Sequence, residues 1–380
     1  MLPPSPHYTP DHEAFAQSVR TFVDRELTPH VDAWDEAGSF PRELYAKAAR
    51  IGLLGLGCPE HLGGMPGDLF FRLAATRELA RAGSGGLLAG LQSCGIALPP
   101  ILAMGSEALQ ARVVPAVLRG EAIAALAVTE PGGGSDVANL QTTARLDGEA
   151  YVVRGEKAFI TSGLRADWLT VAVRTGGPGM GGLTLLAIPG DSQGLHKTPM
   201  RKMGWWCSDT AMLRFEDVRV PVQNRIGDEG MGFLGLAHDF NAERLGLAAA
   251  AWAFAQVCLD EALAYARERS TFGKPLLSRQ VIRHKLVDLQ GKIEAVRALL
   301  EHVAWRVQRG DQPIAEVCML KNLATRTFEE VAGEAVQILG GAGYLRGGKV
   351  ERLFRETKVL SIGGGATEVL ADLAARQQGW

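Results

Sequence analysis

The chain has 380 residues, 47% hydrophobic and 22% charged, with a formal net charge of −2 at pH 7. That length holds one large core or two to three smaller ones, in an ordinary globular composition. The near-neutral balance argues against nucleic acid as a partner, and five scattered cysteines without a CxxC, with eight histidines lacking an HExxH, argue against a disulfide framework or a zinc centre.

Met1 to Pro10 lacks the basic-then-apolar order of a secretory signal. Apolar runs such as Gly246 to Leu259 are too short for a bilayer, so a soluble cytoplasmic protein without a membrane partner is expected. Thr9-Pro10-Asp11 starts a first helix, with Thr as cap and Pro in the first turn. Leu44 to Leu53, Leu69 to Ala82, Leu87 to Leu102 (broken at Pro99-Pro100) and Ser106 to Leu118 read as further helices. Residues 1–120 are expected to form an N-terminal helical domain.

The pattern then changes. Gln141 to Leu146, Tyr151 to Arg154, Trp168 to Val173, Leu183 to Ile188 and Ala211 to Phe215 are short and rich in Val, Thr, Leu or aromatics, and Asp147-Gly148 is a hairpin signal. Residues 121–222 read as a small antiparallel β-domain, a barrel or sandwich. Helical spacing returns over 223–380. One helix runs from Gly230 to Arg269. A second carries a seam of Ile282, Leu286, Leu289, Ile293, Val296, Leu300 and Val303, and a third runs from Ile314 to Leu339 into Gly340-Gly341. A short helix follows Gly365. The fold class is mainly α with a central β-domain. No GxGxxG joins a strand to a helix, which disfavours a Rossmann dehydrogenase.

The stretch Leu126-Ala-Val-Thr-Glu-Pro-Gly-Gly-Gly-Ser-Asp136 begins β-prone and ends in a glycine loop that a ligand can approach closely. Read alone, it is a loop between two elements. Four stretches in order make a stronger case. Thr129-Glu-Pro-Gly-Gly-Gly-Ser-Asp136 matches T-E-P-x-x-G-S-D. Lys157-Ala-Phe-Ile-Thr161 matches K-x-W-I-T, with Phe159 where Trp is common. Arg269-Ser-Thr-Phe-Gly-Lys-Pro275 with Gln280 matches R-x-x-F-G-x-P, and Gln337-Ile-Leu-Gly-Gly-Ala-Gly-Tyr344 matches Q-x-x-G-G-x-G-Y. Together they resemble the acyl-CoA dehydrogenase family over nearly the whole chain.

The resemblance implies non-covalently bound FAD. Leu126, Val128, Thr129, Gly134 and Ser135 would lie along the flavin and the substrate thioester, with Phe159, Ile160 and Thr161 flanking the ring. Arg269, Thr271, Phe272 and Gln280, with Gln337, Ile338, Gly340 and Gly341, would reach the dinucleotide part of a neighbouring subunit's FAD. Ala366, Thr367 and Glu368 would complete the cofactor site. A homo-oligomer, a dimer of dimers, is therefore expected. Without the motif, Arg269 reads as a solvated cation at a helix end.

Removing the α-proton of an acyl thioester needs a base, and a carboxylate in a dry pocket is suited to it. Many family members carry that glutamate in I-Y-E-G-T. The matching residues here are Ile362-Gly363-Gly364-Gly365-Ala366, so the glutamate position is Gly364. Asn241-Ala-Glu-Arg-Leu245 resembles the stretch that supplies the base in the isovaleryl-CoA and long-chain branches. Glu243 also stands in an apolar stripe of Leu236, Phe240, Leu247, Ala250 and Phe254, where a carboxylate is costly unless paired or used. The competing reading is a structural ion pair with a distant arginine.

The resemblance assigns the Gly364 N–H, with a ribityl hydroxyl of FAD, to the thioester oxygen, and Ser135, Asn241, Arg244 and Gly363 to substrate contact. The missing Tyr and Glu side chains point to a branched, bulky or long acyl chain. An electron-transfer flavoprotein is the expected acceptor. The alternatives are a flavin desaturase of a carrier-protein-bound acyl or aminoacyl thioester, and a flavin oxidase or monooxygenase on the same fold. A DNA-associated flavoprotein is disfavoured by the slight net acidity.

Overall fold

The structure, a computed structural model, describes residues 5–380, the side chains of His238 and Asp239 excepted. Residues 1–4, the start of the stretch read for a signal, lie outside it. Helices make up 56% of the chain, and the main sheet is confined to the middle of the sequence.

The N-terminal helices are α1 (Pro10–Phe22), α2 (Val31–Ala37), α3 (Glu43–Arg50), α4 (Leu69–Ala80), α5 (Gly85–Leu91), α6 (Cys94–Ala97), α7 (Pro99–Met104) and α8 (Glu107–Leu118). Pro10 opens α1 as expected, and the Thr9 N–H donates to His12 Nδ1 at 2.9 Å. The single helix expected over 87–102 is instead three short ones. Ser84 caps the first, and Pro99 starts the third rather than merely breaking a longer one.

The strands are β1 (Ala124–Ala127), β2 (Thr143–Asp147), β3 (Ala150–Thr161), β4 (Trp168–Arg174), β5 (Leu183–Pro189), β6 (Leu195–Pro199), β7 (Thr210–Pro221) and β8 (Arg225–Ile226). Their order is β6-β7-β3-β2-β4-β5-β8, with β1 beside β4. The Asp147-Gly148 hairpin forms, with Asp147 opposite Ala150 and Gly148 at φ 62°. The sheet is not wholly antiparallel: β1 runs parallel to β4 from Ala124–Trp168 to Ala127–Val171, and β2 touches β4 in parallel. A complete hairpin separates β1 from β4 in sequence, so the chain returns in its original direction. The sheet does not close into a barrel.

The C-terminal elements are α9 (Gly232–Glu268), the two-residue strands β9 (Ser270–Thr271) and β10 (Lys274–Pro275), α10 (Gln280–Gln308), α11 (Ile314–Leu339), α12 (Lys349–Ile362) and α13 (Thr367–Gln377). The α10 seam is buried from Leu286 to Val303. Helix α9 falls within the span expected from Gly230 to Arg269. Its length and hydropathy would allow a membrane crossing, yet 61% of its most apolar window is buried within the protein. It packs on α4, α10, α11 and α12, as a core helix does.

The cores cross the sequence ranges. Leu236 of α9 and Leu183 and Leu185 of β5 join the N-terminal helical core, while Phe70 and Leu73 of α4 join the C-terminal bundle. Glu356 of α12, 1% exposed, accepts the N–H of Gly85 at 2.7 Å and of Trp205 at 3.1 Å. One carboxylate thus ties the bundle to α5 and to the β6–β7 loop. All five cysteines are free thiols.

Candidate active site

The glycine loop is fastened by a buried ion pair. Lys157 Nζ lies 2.9 Å from Glu130 Oε1 and donates also to the Val128 carbonyl at 2.9 Å. The Glu130 carboxylate accepts the N–H groups of Gln141 and Thr142 at 2.7 and 2.8 Å. The Ala158 N–H donates to the Thr129 carbonyl at 2.9 Å. Burial draws Lys157 down to about 8 against the pull of Glu130, whose own carboxyl stays below the usual range. The first two motifs are therefore one device: Glu130 of one and Lys157 of the other hold the loop on β3. Neither was given a role from sequence. Opposite charges in adjacent motifs were the available signal.

Phe159 stands on a bulge of β3 between Lys157 and Ile160, at φ 61° and 64% exposed. A bulky residue in the left-handed region is strained, and such strain gathers at functional positions. Thr129 and Thr161 are half-buried, and Gly134 and Ser135 are exposed beside them in the fold. Ile160 differs: its side chain is 2% exposed in the β-domain core, which leaves only its backbone for a ligand. A cleft of about 500 Å³ opens on the outer side of the loop, lined by Glu130, Asp136 and Glu156 among others, and contains neither Glu243 nor Gly364.

A second group forms where α9 and α11 meet the α12–α13 turn. Glu243 is half-buried on α9, and burial pushes its carboxyl up, with Arg244 and Lys321 pulling it back. Among the described residues it forms no ion pair within 4 Å, so the structural-pair reading is not met. Gly364 lies opposite. A Cβ added there would sit 3.7 Å from Glu243 Oε1 and 2.4 Å from Leu247 Cδ1, and Gly364 has φ 66°. The backbone there favours glycine, and any side chain would have to displace Leu247 Cδ1.

Arg244 turns inward. Its Nε donates to the Gly364 carbonyl at 3.2 Å and Nη1 to Asn241 Oδ1 at 3.1 Å. Lys321 Nζ donates to the Gly365 carbonyl at 2.8 Å, and Asn322 Nδ2 to the Thr367 carbonyl at 2.9 Å. Gly363 closes α12, its N–H on the Val359 carbonyl. Ala366 and Thr367 are half-buried at the start of α13, and Glu368 is exposed. Lys321 and Asn322 were missed in the sequence, where they read as ordinary positions of an amphipathic helix.

The remaining predicted residues stand apart. Arg269 caps α9, and Thr271 belongs to a tight β9–β10 ribbon whose hydrogen bonds, such as Arg279 to the Thr271 carbonyl at 2.7 Å, stay local. Phe272 at its tip is 97% exposed at φ 52°. Gln280, Gln337, Gly340 and Gly341 are exposed, whereas Ile338 is buried in the bundle core. A Cβ on Gly340 or Gly341 would meet nothing, so that backbone lies open to a ligand. The exposed ring of Phe159 and this open backbone fit a flat aromatic dinucleotide.

Three family models match in chain order: the acyl-CoA dehydrogenase N-terminal domain over residues 9–121, the middle domain over 125–218 and the C-terminal domain over 230–379. The chain belongs to the acyl-CoA dehydrogenase family. It is an oxidoreductase, and the cofactor of the family is FAD. Its relatives include acyl-CoA dehydrogenase AFT10-1 of Alternaria alternata, 36% identical over 98% of this chain and 92% of that one. A crystal structure from Mycobacterium smegmatis, assigned as an acyl-CoA dehydrogenase, matches with a TM-score of 0.97 at 48% identity, over 99% of both chains. The prolyl acyl carrier protein oxidase AnaB matches with a TM-score of 0.92 at 29% identity, over 98% of this chain and 100% of that one.

Proposed function

We propose that the protein dehydrogenates an acyl-CoA thioester between Cα and Cβ, with Glu243 as the base. The observation that carries this is the Glu243 carboxylate: it faces Gly364, has no ion-pair partner among the described residues, and is made more basic by burial. Glu243 takes the α-proton on a carboxylate oxygen. The Gly364 N–H donates to the thioester oxygen as negative charge develops there. Val128, Thr129, Ser135, Phe159 and Thr161 would hold the flavin and thioester on the β-domain side. FAD, held by these residues, would supply the acceptor for the β-hydride. Arg269, Phe272, Gln280 and the Gln337–Gly341 segment, exposed on a single chain, would serve a partner subunit's cofactor in a homo-oligomer. An electron-transfer flavoprotein is the acceptor we infer. Three consecutive glycines beside the base leave room for a branched, bulky or long acyl chain.

A second reading keeps the chemistry and changes the handle. The likeness to a carrier-protein oxidase supports an acyl or aminoacyl group presented on a carrier protein. Anaerobic mixing of FAD-loaded protein with a panel of acyl-CoAs tests the first reading by loss of visible flavin absorbance. Bleaching by branched or long chains ahead of butyryl-CoA is expected. Absence of bleaching with every acyl-CoA, and bleaching by carrier-bound thioesters, would replace it with the second.

A further inference from the structure

The turn between α12 and α13 is held from behind by its carbonyls. Arg244, Lys321 and Asn322 donate to the carbonyls of Gly364, Gly365 and Thr367 respectively. The N–H groups of Gly364, Gly365 and Ala366 meet no acceptor among the described residues. Both glycines have positive φ, 66° and 106°. The carbonyl side is thus occupied by cationic and amide donors, while the N–H side is left for a ligand.

Lys321 is the unexpected member. It is 0% exposed, its one side-chain hydrogen bond goes to a neutral carbonyl, and among the described residues it makes no ion pair within 4 Å. An ammonium in that setting is costly, and a leucine or methionine would fill the same helix position without the cost. Glu243 and Arg244 of α9, Cys318 of its own helix and Glu368 of α13 are the titratable groups that face it, and Arg244 and Lys321 are those that face Glu243.

We infer that Lys321 is a positioning residue for the reaction at Glu243: it fixes the Gly365–Ala366 peptide by its carbonyl, beside the Gly364–Gly365 peptide that Arg244 holds, and so steadies the turn that presents the Gly364 N–H to the thioester oxygen, and its charge favours the carboxylate form of Glu243. This rests on reading Glu243 as the base. Burial draws Lys321 down to about 8, so the charge is present through neutral pH and fades above it.

FAD-loaded Lys321→Gln and Lys321→Met separate the two effects. Gln keeps a donor for Gly365 and loses the charge; Met loses both. In Lys321→Gln the acid limb of the pH profile for flavin reduction should move up by about one unit, because a cation near Glu243 is gone. Its amide exchange at Gly363 and Leu370, whose N–H groups are hydrogen-bonded at the two ends of the turn, should stay as in the wild type. In Lys321→Met the limb should move as far and that exchange should quicken about tenfold, with FAD retained. Wild-type profiles and exchange in both variants would make Lys321 a core-filling residue and overturn the inference. If Lys321→Met does not load FAD, the limb in Lys321→Gln decides. If wild-type protein is reduced by no acyl thioester, the base reading falls on its own. Amide exchange in Lys321→Met then decides whether the lysine holds the turn.

Discussion

Glu243 and Gly364 occupy the same point of the structure from two directions: a Cβ on Gly364 would lie 3.7 Å from Glu243 Oε1. In sequence they are two separate candidate positions for one carboxylate. In space they are alternatives for one spot, approached from α9 or from the α12–α13 turn. A glutamate at both would place two like charges in one apolar pocket, which raises the cost of ionising either. Glycine at 364 keeps the N–H donor and clears the space.

Glu243→Gln should slow flavin reduction by acyl thioester about 10³-fold, the scale of a lost general base. FAD content and thermal midpoint should be unchanged. Since burial raises the Glu243 carboxyl, wild-type reduction should fall off on the acid side at a pH above the ordinary glutamate value of 4.5. Anaerobic stopped-flow absorbance across pH measures both effects. Reduction within tenfold of wild type would remove Glu243 from the mechanism.

Gly364→Ala should destabilise the protein by about 1–3 kcal/mol, combining strain at φ 66° with the contact on Leu247 Cδ1. Leu247→Ala should relieve the contact and leave the strain. A double-mutant cycle by urea unfolding should therefore give a coupling of about 0.5–1 kcal/mol. The single variant should also lose kcat, because the Gly364 N–H shifts with the backbone. Additive costs would mean that Leu247 moves aside freely.

Phe159 sets stability against binding. Phe159→Gly should stabilise the cofactor-free protein by about 1 kcal/mol, since glycine adopts φ 61° without strain and little buried area is lost. It should weaken FAD binding through loss of a stacking face. Thermal melting and fluorescence titration of FAD should move in opposite directions. Melting points that fall together with affinity would assign Phe159 to the core instead.

Glu356 should impose a pH dependence on stability. Burial pushes its carboxyl up to about 7 from an ordinary 4.5, so between those values the folded state holds a proton that the unfolded state has released. The sign follows: its contribution is full below about pH 4.5 and is lost as pH rises through 7, by up to roughly 3 kcal/mol. Glu356→Gln should flatten that slope. It should also cost about 1–3 kcal/mol near pH 5, because an amide cannot accept from both Gly85 and Trp205 as a carboxylate does, a deficit that shrinks toward pH 7 as the wild type loses its own pH-dependent share. An unchanged slope, read from urea midpoints at pH 5, 6 and 7, would place the proton elsewhere.

Much of the architecture was written in local order. The α10 seam from Leu286 to Val303 and the span of α11 from Ile314 to Leu339 could be read directly, because a helix buries every third or fourth residue and its stop needs glycine. The motif stretches carried the family for a similar reason, since glycines and hydroxyls at fixed spacing record where backbone meets ligand. Other features depend on packing between distant segments. Pairing of Lys157 with Glu130 spans 27 residues, and the parallel β1–β4 edge is set by a hairpin inserted between the strands. Lys321 looks like any lysine on an amphipathic helix until α9 and the α12–α13 turn close over it. Periodicity reports which face of an element is buried, whereas the charge environment of Glu243 is the sum over three elements that only the folded chain brings within a few ångströms of one another.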